Sequence, residues 1–169
     1  MKKACLLALP VVVSAMPSLA QDTKYEVFGG YSYLRAQPGG GLPVVDTSGW
    51  EASLAYRWNN WLSLKADFDG HYCCDGAKMH DFLGGPQINF GHGELRPYVH
   101  ALVGGSHGSQ AGVSDTVLAF AFGGGLDIKI SDRFAIRLAQ ADYFGTRYAE
   151  QTQNNFRIST GLVFHFGRK

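Results

Sequence analysis

Side chains alternate between apolar and polar with a period of two along eight segments of this sequence. In the segment WEASLAYRW, Trp50, Leu54 and Tyr56 fall on one side, and Glu51 and Arg57 fall on the other. Because successive side chains of a β-strand point to opposite faces, each such segment is predicted to be a strand with one apolar and one polar face. The predicted strands are 24–35, 49–58, 62–72, 79–90, 95–105, 116–130, 134–144 and 155–166.

The composition favours a nearly all-β protein. Of the 169 residues, 22 are glycine, while 13% are aromatic and 17% are charged. These values are typical of short strands joined by turns, and no segment after residue 20 shows a long helical period. The glycine-rich stretch AFGGGLD is not followed by a helix, which argues against a phosphate-binding loop.

The first 20 residues have the features of a cleaved secretory signal. Two lysines precede an apolar run over 4–13, and Ser18-Leu19-Ala20 has the small-x-small form that signal peptidase recognises. A membrane anchor would need about 18 apolar residues, and two prolines interrupt this stretch. We therefore predict removal of 1–20 and a single domain over 21–169. Without its first two lysines the chain carries 13 basic and 14 acidic residues and no block of like charge, so nucleic acid is not an expected partner.

The connections between the predicted strands alternate between long and short. Those after the second, fourth and sixth strands are only 59–61, 91–94 and 131–133, whereas the others are longer. Outer-membrane barrels have this asymmetry, with tight periplasmic turns and longer external loops. The predicted fold class is therefore all-β, a closed eight-stranded antiparallel up-and-down transmembrane β-barrel. A soluble up-and-down barrel shows the same alternation but has less reason for unequal connections.

Aromatic residues cluster near both ends of the predicted strands. Four lie at the tight turns and four near the opposite ends, an arrangement expected of the two aromatic girdles at membrane interfaces. Aromatic side chains that only fill a soluble core are the alternative explanation. The eight residues are Trp58, Trp61, Phe90 and Phe134, and then Trp50, Tyr72, Phe82 and Tyr143.

The polar faces predict a charged barrel interior. A turn at 131–133 places Asp127 directly opposite Arg137, and such ion pairs make burial of charge tolerable. An eight-stranded barrel is just wide enough for side chains to fill it, so we predict a plugged interior. Strict alternation would point the side chains of Gln140 and Asp142 toward the lipid. Either a bulge after Leu138 shifts the alternation, or both residues lie at the headgroup level. The predicted interior network is Glu51, Arg57, Lys65, Asp67, Asp127, Lys129, Arg137 and Arg157.

The last strand resembles the C-terminal assembly signal of bacterial outer-membrane proteins. Ser159, Gly161, Phe164 and Phe166 provide its polar residue, glycine, hydrophobe and final aromatic, although three residues follow Phe166. The whole processed chain resembles the small eight-stranded barrels related to the transmembrane domain of outer-membrane protein A. This resemblance implies a location in the outer membrane of a Gram-negative bacterium. It also implies contact with outer-membrane lipid and lipopolysaccharide, and biogenesis through periplasmic chaperones and the barrel assembly machinery.

Two groups of residues could carry chemistry. Cys73 and Cys74, near His71 and His80, could hold zinc, but in an oxidising compartment a vicinal disulfide or a bond to another chain is favoured. Ser106 and His107 are expected in a loop without a motif that places a base beside a nucleophile. The favoured function is a non-enzymatic barrel, without a cofactor, that supports envelope integrity or displays its loops for adhesion. A narrow porin-like channel and a lipid-modifying enzyme are the alternatives.

Overall fold

The computed structural model, which describes residues 23–37, 44–73, 76–90, 93–110, 113–148 and 151–167, is a closed barrel of antiparallel strands. Each strand pairs with its neighbours in the chain, and β1 pairs with β8 to close the barrel. The fold predicted from the alternating segments is confirmed. The strands are β1 Tyr25–Ala36, β2 Val45–Arg57, β3 Leu62–Tyr72, β4 Lys78–Asn89, β5 Leu95–Gln110, β6 Val113–Lys129, β7 Phe134–Tyr148 and β8 Gln151–Phe166.

Two tight turns have the predicted register. Arg57 pairs with Ser63 across the turn between β2 and β3, and Asp127 pairs with Arg137 across the turn between β6 and β7. In the first turn the side chain of Asn59 accepts hydrogen bonds from the backbone N–H groups of Trp61 and Leu62, at 3.0 and 2.7 Å. We call this end of the barrel, which also holds Tyr25 and Phe166, the tight-turn end, and the opposite end the hairpin end.

The strands at the hairpin end are longer than predicted. The segments 106–114 and 145–154, expected as loops, belong largely to the strand pairs β5–β6 and β7–β8. Backbone pairing continues there because it requires no apolar alternation: Gly108 pairs with Asp115, and Thr146 pairs with Gln153. A pattern search based on hydrophobicity misses such polar strand ends.

The outer surface of the barrel is an uncharged apolar band. Leu162 is 64% exposed and Trp58 is 73% exposed, and all eight residues predicted to form girdles are exposed. Among the described residues, no Asp, Glu, Lys or Arg occupies an outward-facing position between the tight-turn end and the level of Tyr31, Trp50 and Tyr143. The described ranges contain no helix that could span a lipid bilayer.

A β-bulge in β7 decides the orientation of Gln140 and Asp142. Leu126 pairs with Ala139 while Asp127 pairs with Arg137, so β7 carries one extra residue, Leu138. Leu138 and Ala139 both point outward, and both Gln140 and Asp142 are fully buried inside the barrel. Of the two alternatives left open by the sequence, the bulge is the one found.

Candidate functional site in the barrel interior

Arg137 forms the first charged group of the interior. Its guanidinium donates to Asp127 from Nε and Nη2, at 2.8 and 3.0 Å, and from Nη2 to Glu26 at 2.9 Å. The same group lies between the rings of Phe28 and Tyr98, 4.4 and 4.5 Å from their centroids. Its donors are thus directed at carboxylates while its planar faces are covered by aromatic rings, an environment suited to a buried guanidinium.

Arg157 forms a second group nearer the hairpin end. Its Nη2 donates to Asp67 and Asp142, both at 2.7 Å, and its Nη1 donates to Asp69. Lys65 Nζ lies 3.8 Å from carboxylate oxygens of both Glu51 and Asp67. Three strands, β2, β3 and β7, therefore place carboxylates around one buried guanidinium.

Gln140 connects the two groups. Its Oε1 accepts hydrogen bonds from the side chains of three residues, and its Nε2 donates to two carboxylates. The contacts are Lys65 Nζ at 3.0 Å, Tyr98 OH at 2.7 Å, Arg137 Nη1 at 3.0 Å, Glu51 Oε1 at 2.8 Å and Asp142 Oδ2 at 2.9 Å. An amide suits this position because it offers an acceptor to the cations and donors to the anions.

Most of the predicted interior residues lie in this network. Six are buried inside the barrel: Glu51, Lys65, Asp67, Asp127, Arg137 and Arg157.

Arg57 and Lys129 differ from the prediction, because they are half-buried at the mouth of the tight-turn end and take no part in the buried network. Each has inward parity but is the last residue of its strand, where the interior opens to solvent. Lys129 donates to Asp132 at 2.6 Å, which holds the pKa of this turn carboxyl below its usual value.

Several interior residues were not included in the predicted network. Asp69 and His71 share the polar face of Asp67 in LSLKADFDGHY, so the alternation already predicts their inward orientation, although they were not assigned to the network. For Gln140 and Asp142 the sequence left a bulge and a headgroup position open, and the structure shows the bulge. The interior residues outside the predicted network include Glu26, Asp69, His71, Asp81, His100, Gln140, Asp142 and His165.

Apolar clusters lie on both sides of the charged network. Phe28, Ala135 and Val163 form one cluster toward the tight-turn end. A larger cluster lies toward the hairpin end and includes Leu34, Leu83, Leu102, Ala119, Ala121 and Phe144. Since Arg137 is 0% exposed and Arg157 is 1% exposed, no water-filled path passes either side chain.

An acidic corner of the interior differs from the rest of the network. Asp69 on β3, Asp81 on β4 and Ser106 on β5 are neighbours in one row of paired residues. His71, on β3, lies beside this row with its Nδ1 3.2 Å from Asp69 Oδ1. Directly opposed like charges destabilise a sheet unless a cation or a proton lies between them.

Ser32, His71 and Asp69 have the connectivity of a hydrolytic triad. Ser32 Oγ is 3.0 Å from His71 Nε2, and the other ring nitrogen faces Asp69. No sequence motif marks this constellation, because Ser32 lies in β1 while Asp69 and His71 lie in β3. Ser32 is 0% exposed, so a substrate cannot reach its hydroxyl in this structure.

The sequence-predicted pair of Ser106 and His107 is not a loop pair. Both lie in β5 on opposite faces: Ser106 is buried inside the barrel, and the exposed His107 Nδ1 is 2.8 Å from Thr116 Oγ1. They cannot act together on one substrate. Cys73 follows β3, and Cys74 lies outside the described residues, so their predicted disulfide stays a prediction.

The proposed assembly signal spans both faces of β8. Ser159 is buried and Gly161 faces the interior opposite Gly30, while Phe164 and Phe166 point outward. Phe166 stacks on Tyr25 with a centroid distance of 5.3 Å, which fixes the closing seam at the tight-turn end.

A solved structure of neisserial surface protein A has a similar backbone. It aligns with a TM-score of 0.70 at 14% sequence identity, over 84% of this chain and 97% of the other. The fold is that of the small eight-stranded outer-membrane barrels.

Two further outer-membrane barrels have the same fold. The attachment invasion locus protein of Yersinia pestis aligns with a TM-score of 0.58 at 19% identity, over 85% of this chain and 99% of its own. The N-terminal barrel domain of Pseudomonas aeruginosa OprF aligns with a TM-score of 0.58 at 18% identity, over 85% and 98%. No protein-family model and no curated protein matches the sequence.

Proposed function

We propose that this protein is a non-enzymatic outer-membrane barrel with a closed interior. In this proposal it either supports envelope integrity or makes surface contacts through its hairpin end. The burial of Arg137 and Arg157 among paired carboxylates carries the proposal, because moving these groups apart to open a channel would leave buried charges unpaired. The uncharged outer band and the fold shared with outer-membrane barrels support the membrane location.

Electrical recording tests the closed interior. The purified protein, reconstituted in a planar bilayer, is expected to give no sustained conductance, while a general porin added to the same bilayer gives open channels. Long-lived unitary currents that scale with the amount of this protein would favour the narrow channel instead.

Labelling with a fluorophosphonate tests the absence of hydrolase activity. Because Ser32 is buried, the folded barrel is expected to remain unlabelled both as the native chain and as Ser32→Ala. Labelling of the native chain that disappears in Ser32→Ala would show that the Ser32–His71–Asp69 row is a reactive site.

A shortened hairpin separates the two cellular roles. Residues 107–116 can be replaced by Asn-Gly between the paired residues Ser106 and Val117, which keeps the register of β5 and β6. If the hairpin end mediates attachment, cells carrying this variant attach less to surfaces but retain their resistance to detergents. If the barrel instead serves the envelope, the variant restores both surface attachment and detergent resistance to a strain that lacks the gene. An empty vector restores neither property.

We also propose that the barrel assembly machinery recognises β8 through its outward aromatic end. Phe166→Ser is expected to lower the amount of assembled protein in cells several-fold while leaving refolding of the purified chain in detergent largely intact. Phe156→Ser, on the outward face of the same strand, is the matched control. Equal losses for both variants would indicate a general loss of strand stability instead.

A further inference from the structure

The acidic corner has the side chains of a metal site. Ligand atoms of Asp69, His71 and Asp81 lie within 4.8 Å of one another, and all three residues are buried. We propose that these residues bind one divalent transition-metal cation, represented here by Zn²⁺, inside the barrel. This proposal is independent of whether the protein acts in adhesion or in envelope integrity.

The corner holds buried polar atoms without hydrogen-bond partners. Asp81 is only 1% exposed, and neither of its carboxylate oxygens makes a hydrogen bond of good geometry, although Asp69 and Ser106 lie close to it. Ser106, directly opposite Asp81 in the neighbouring strand, is 0% exposed, and its Oγ makes no hydrogen bond of good geometry either. Buried polar groups are nearly always satisfied, so a row of unsatisfied oxygen atoms indicates a missing electropositive partner.

The hydrogen bonds of His71 leave a nitrogen lone pair directed at the same place. Ser159 contacts both a carboxylate oxygen of Glu51 and Ser32 Oγ, the latter at 3.2 Å, and Ser32 Oγ is 3.0 Å from His71 Nε2. Since an ionised carboxylate only accepts, Ser159 donates to Glu51, Ser32 donates to Ser159, and His71 Nε2–H donates to Ser32. In the neutral ring, His71 Nδ1 then carries the lone pair, and this atom lies 3.2 Å from Asp69 Oδ1.

This arrangement is that of a metal-binding imidazole. A ligating histidine is held by a hydrogen bond from its other ring nitrogen, here to Ser32. Two acceptor atoms facing each other repel unless a positive charge lies between them, and a bound cation would supply it. Arg157 already neutralises the other oxygen of Asp69, but no described cation forms an ion pair with Asp81.

The charge of the whole interior favours a bound cation. Among the described residues, the buried side chains include seven carboxylates and three lysine or arginine cations, an excess of four carboxylates. Glu26 and Asp127 share Arg137, so one of the four excess carboxylates lies in the Arg137 group, and the other three lie in the Arg157 group and the adjoining corner. A divalent cation would remove half of this excess.

The ligand set selects the class of cation. One imidazole nitrogen with two carboxylates suits zinc or manganese better than calcium, which prefers oxygen ligands alone. Zinc binds nitrogen and carboxylate oxygen at about 2.0–2.2 Å, so ligand atoms of one site are at most about 4.4 Å apart. The ligand atoms of Asp69, His71 and Asp81, which lie within 4.8 Å of one another, therefore need only small side-chain rotations to bind one ion. Ser106 or water would complete the coordination.

Metal content and stability together test the proposal. The protein, purified from membranes in mild detergent and also refolded with ZnCl₂, is dialysed free of loose metal and analysed by mass spectrometry for zinc. We expect about one zinc per barrel and a higher thermal unfolding midpoint than after refolding with EDTA. Asp81→Asn and His71→Gln should each reduce the bound zinc at least tenfold.

The two corner variants and their controls separate this site from alternatives. Asp81→Asn should raise the midpoint of the metal-free barrel, because it removes one of two opposed carboxylates, and should abolish the response to zinc. His80→Gln, on the outer face, and a double Cys73→Ser, Cys74→Ser variant should bind zinc as the native chain does. Heat-modifiable migration in gels verifies that each variant is folded.

Three results would overturn the proposal. The first is a native barrel without zinc after both preparations, and the second is an equal zinc content in Asp81→Asn and the native chain. The third is loss of zinc in the cysteine variant with retention in His71→Gln, which would assign the metal to the cysteine pair. Absence of zinc together with a more stable Asp81→Asn barrel would show that Asp69 and Asp81 share a proton instead.

Discussion

At the residue scale, an uncharged side chain determines how the interior charges are arranged. Gln140 receives hydrogen bonds from two cationic side chains and donates to two carboxylates. Neither a lysine nor a glutamate at this position could satisfy both sets of partners. The amide therefore lies between the Arg137 group and the Arg157 group and makes hydrogen bonds to members of both.

Substitution of Gln140 by leucine should destabilise the barrel strongly. Loss of the amide leaves Lys65 and Glu51 with fewer buried partners, at a cost of about 3 kcal/mol. The measurement is urea-induced unfolding in detergent, followed by tryptophan fluorescence. Gln153→Leu, half-buried at the hairpin end, is the matched control and should change stability by less than about 1 kcal/mol. Equal effects would contradict the central role of Gln140.

Gly123 should not tolerate even a methyl group. A Cβ at this position would lie 2.1 Å from Asp142 Oδ1 and 2.3 Å from the backbone oxygen of Ala141. Gly123→Ala is expected to lower the free energy of unfolding by about 1–3 kcal/mol, because the added methyl group would displace Asp142 Oδ1, which contacts His100 Nε2 at 2.9 Å. At Gly29 a Cβ would meet nothing within 4 Å, so Gly29→Ala should leave the unfolding curve nearly unchanged.

At the element scale, the bulge in β7 allows one strand to serve both surfaces. Before the bulge, Ile136 faces outward and Arg137 faces inward. Leu138 and Ala139, at the bulge, both face outward. After the bulge, Ala141 faces outward and Asp142 faces inward. Without the extra residue, this sequence would place either Arg137 or Asp142 against lipid. The bulge leaves its extra residue unpaired, but regular pairing with β6 resumes on both sides of it.

Deletion of Leu138 should therefore be tolerated. The shortened strand alternates regularly and keeps Arg137, Gln140 and Asp142 inside the barrel. Deletion of Ala141, three residues later, should prevent folding, because it turns buried polar side chains toward the lipid. Refolding yield and heat-modifiable migration of the two deletion variants provide the measurement. Comparable yields would show that the bulge does not set the parity of β7.

At the scale of the whole molecule, the barrel combines an uncharged outer band with an ionic interior. A soluble protein of this size buries apolar side chains, whereas here large apolar residues such as Leu64 and Val103 are exposed. The interior is held by ion pairs between strands distant in sequence, such as Arg157 with Asp67 and Arg137 with Glu26. These contacts join strands that are not neighbours in the sheet and resist flattening of the barrel.

Removal of Arg157 should affect the molecule more than any surface charge. Arg157→Met leaves Asp67, Asp69 and Asp142 without their shared cation, at an expected cost of about 3–5 kcal/mol. Such a loss should appear as a lower urea midpoint and as a fraction of protein that migrates unfolded without heating. Arg147→Met, exposed at the hairpin end, is the control. An unchanged midpoint for Arg157→Met would contradict the importance of the ionic interior.

The sequence by itself determined the number of strands, the apolar face of each strand and the register at two tight turns. Side chains that alternate with a period of two are typical of β-strands, and a turn between Ile130 and Phe134 fixes which residues oppose each other. The tertiary structure decided what depends on atoms from several strands at once. The out-of-phase positions of Gln140 and Asp142 left two alternatives open, and only the pairing of β7 with β6 and β8 decided for the bulge. Likewise, Ser32, His71 and Asp81 meet only when β1, β3 and β4 close around one interior, since contacts across a barrel arise from shape and not from spacing along the chain.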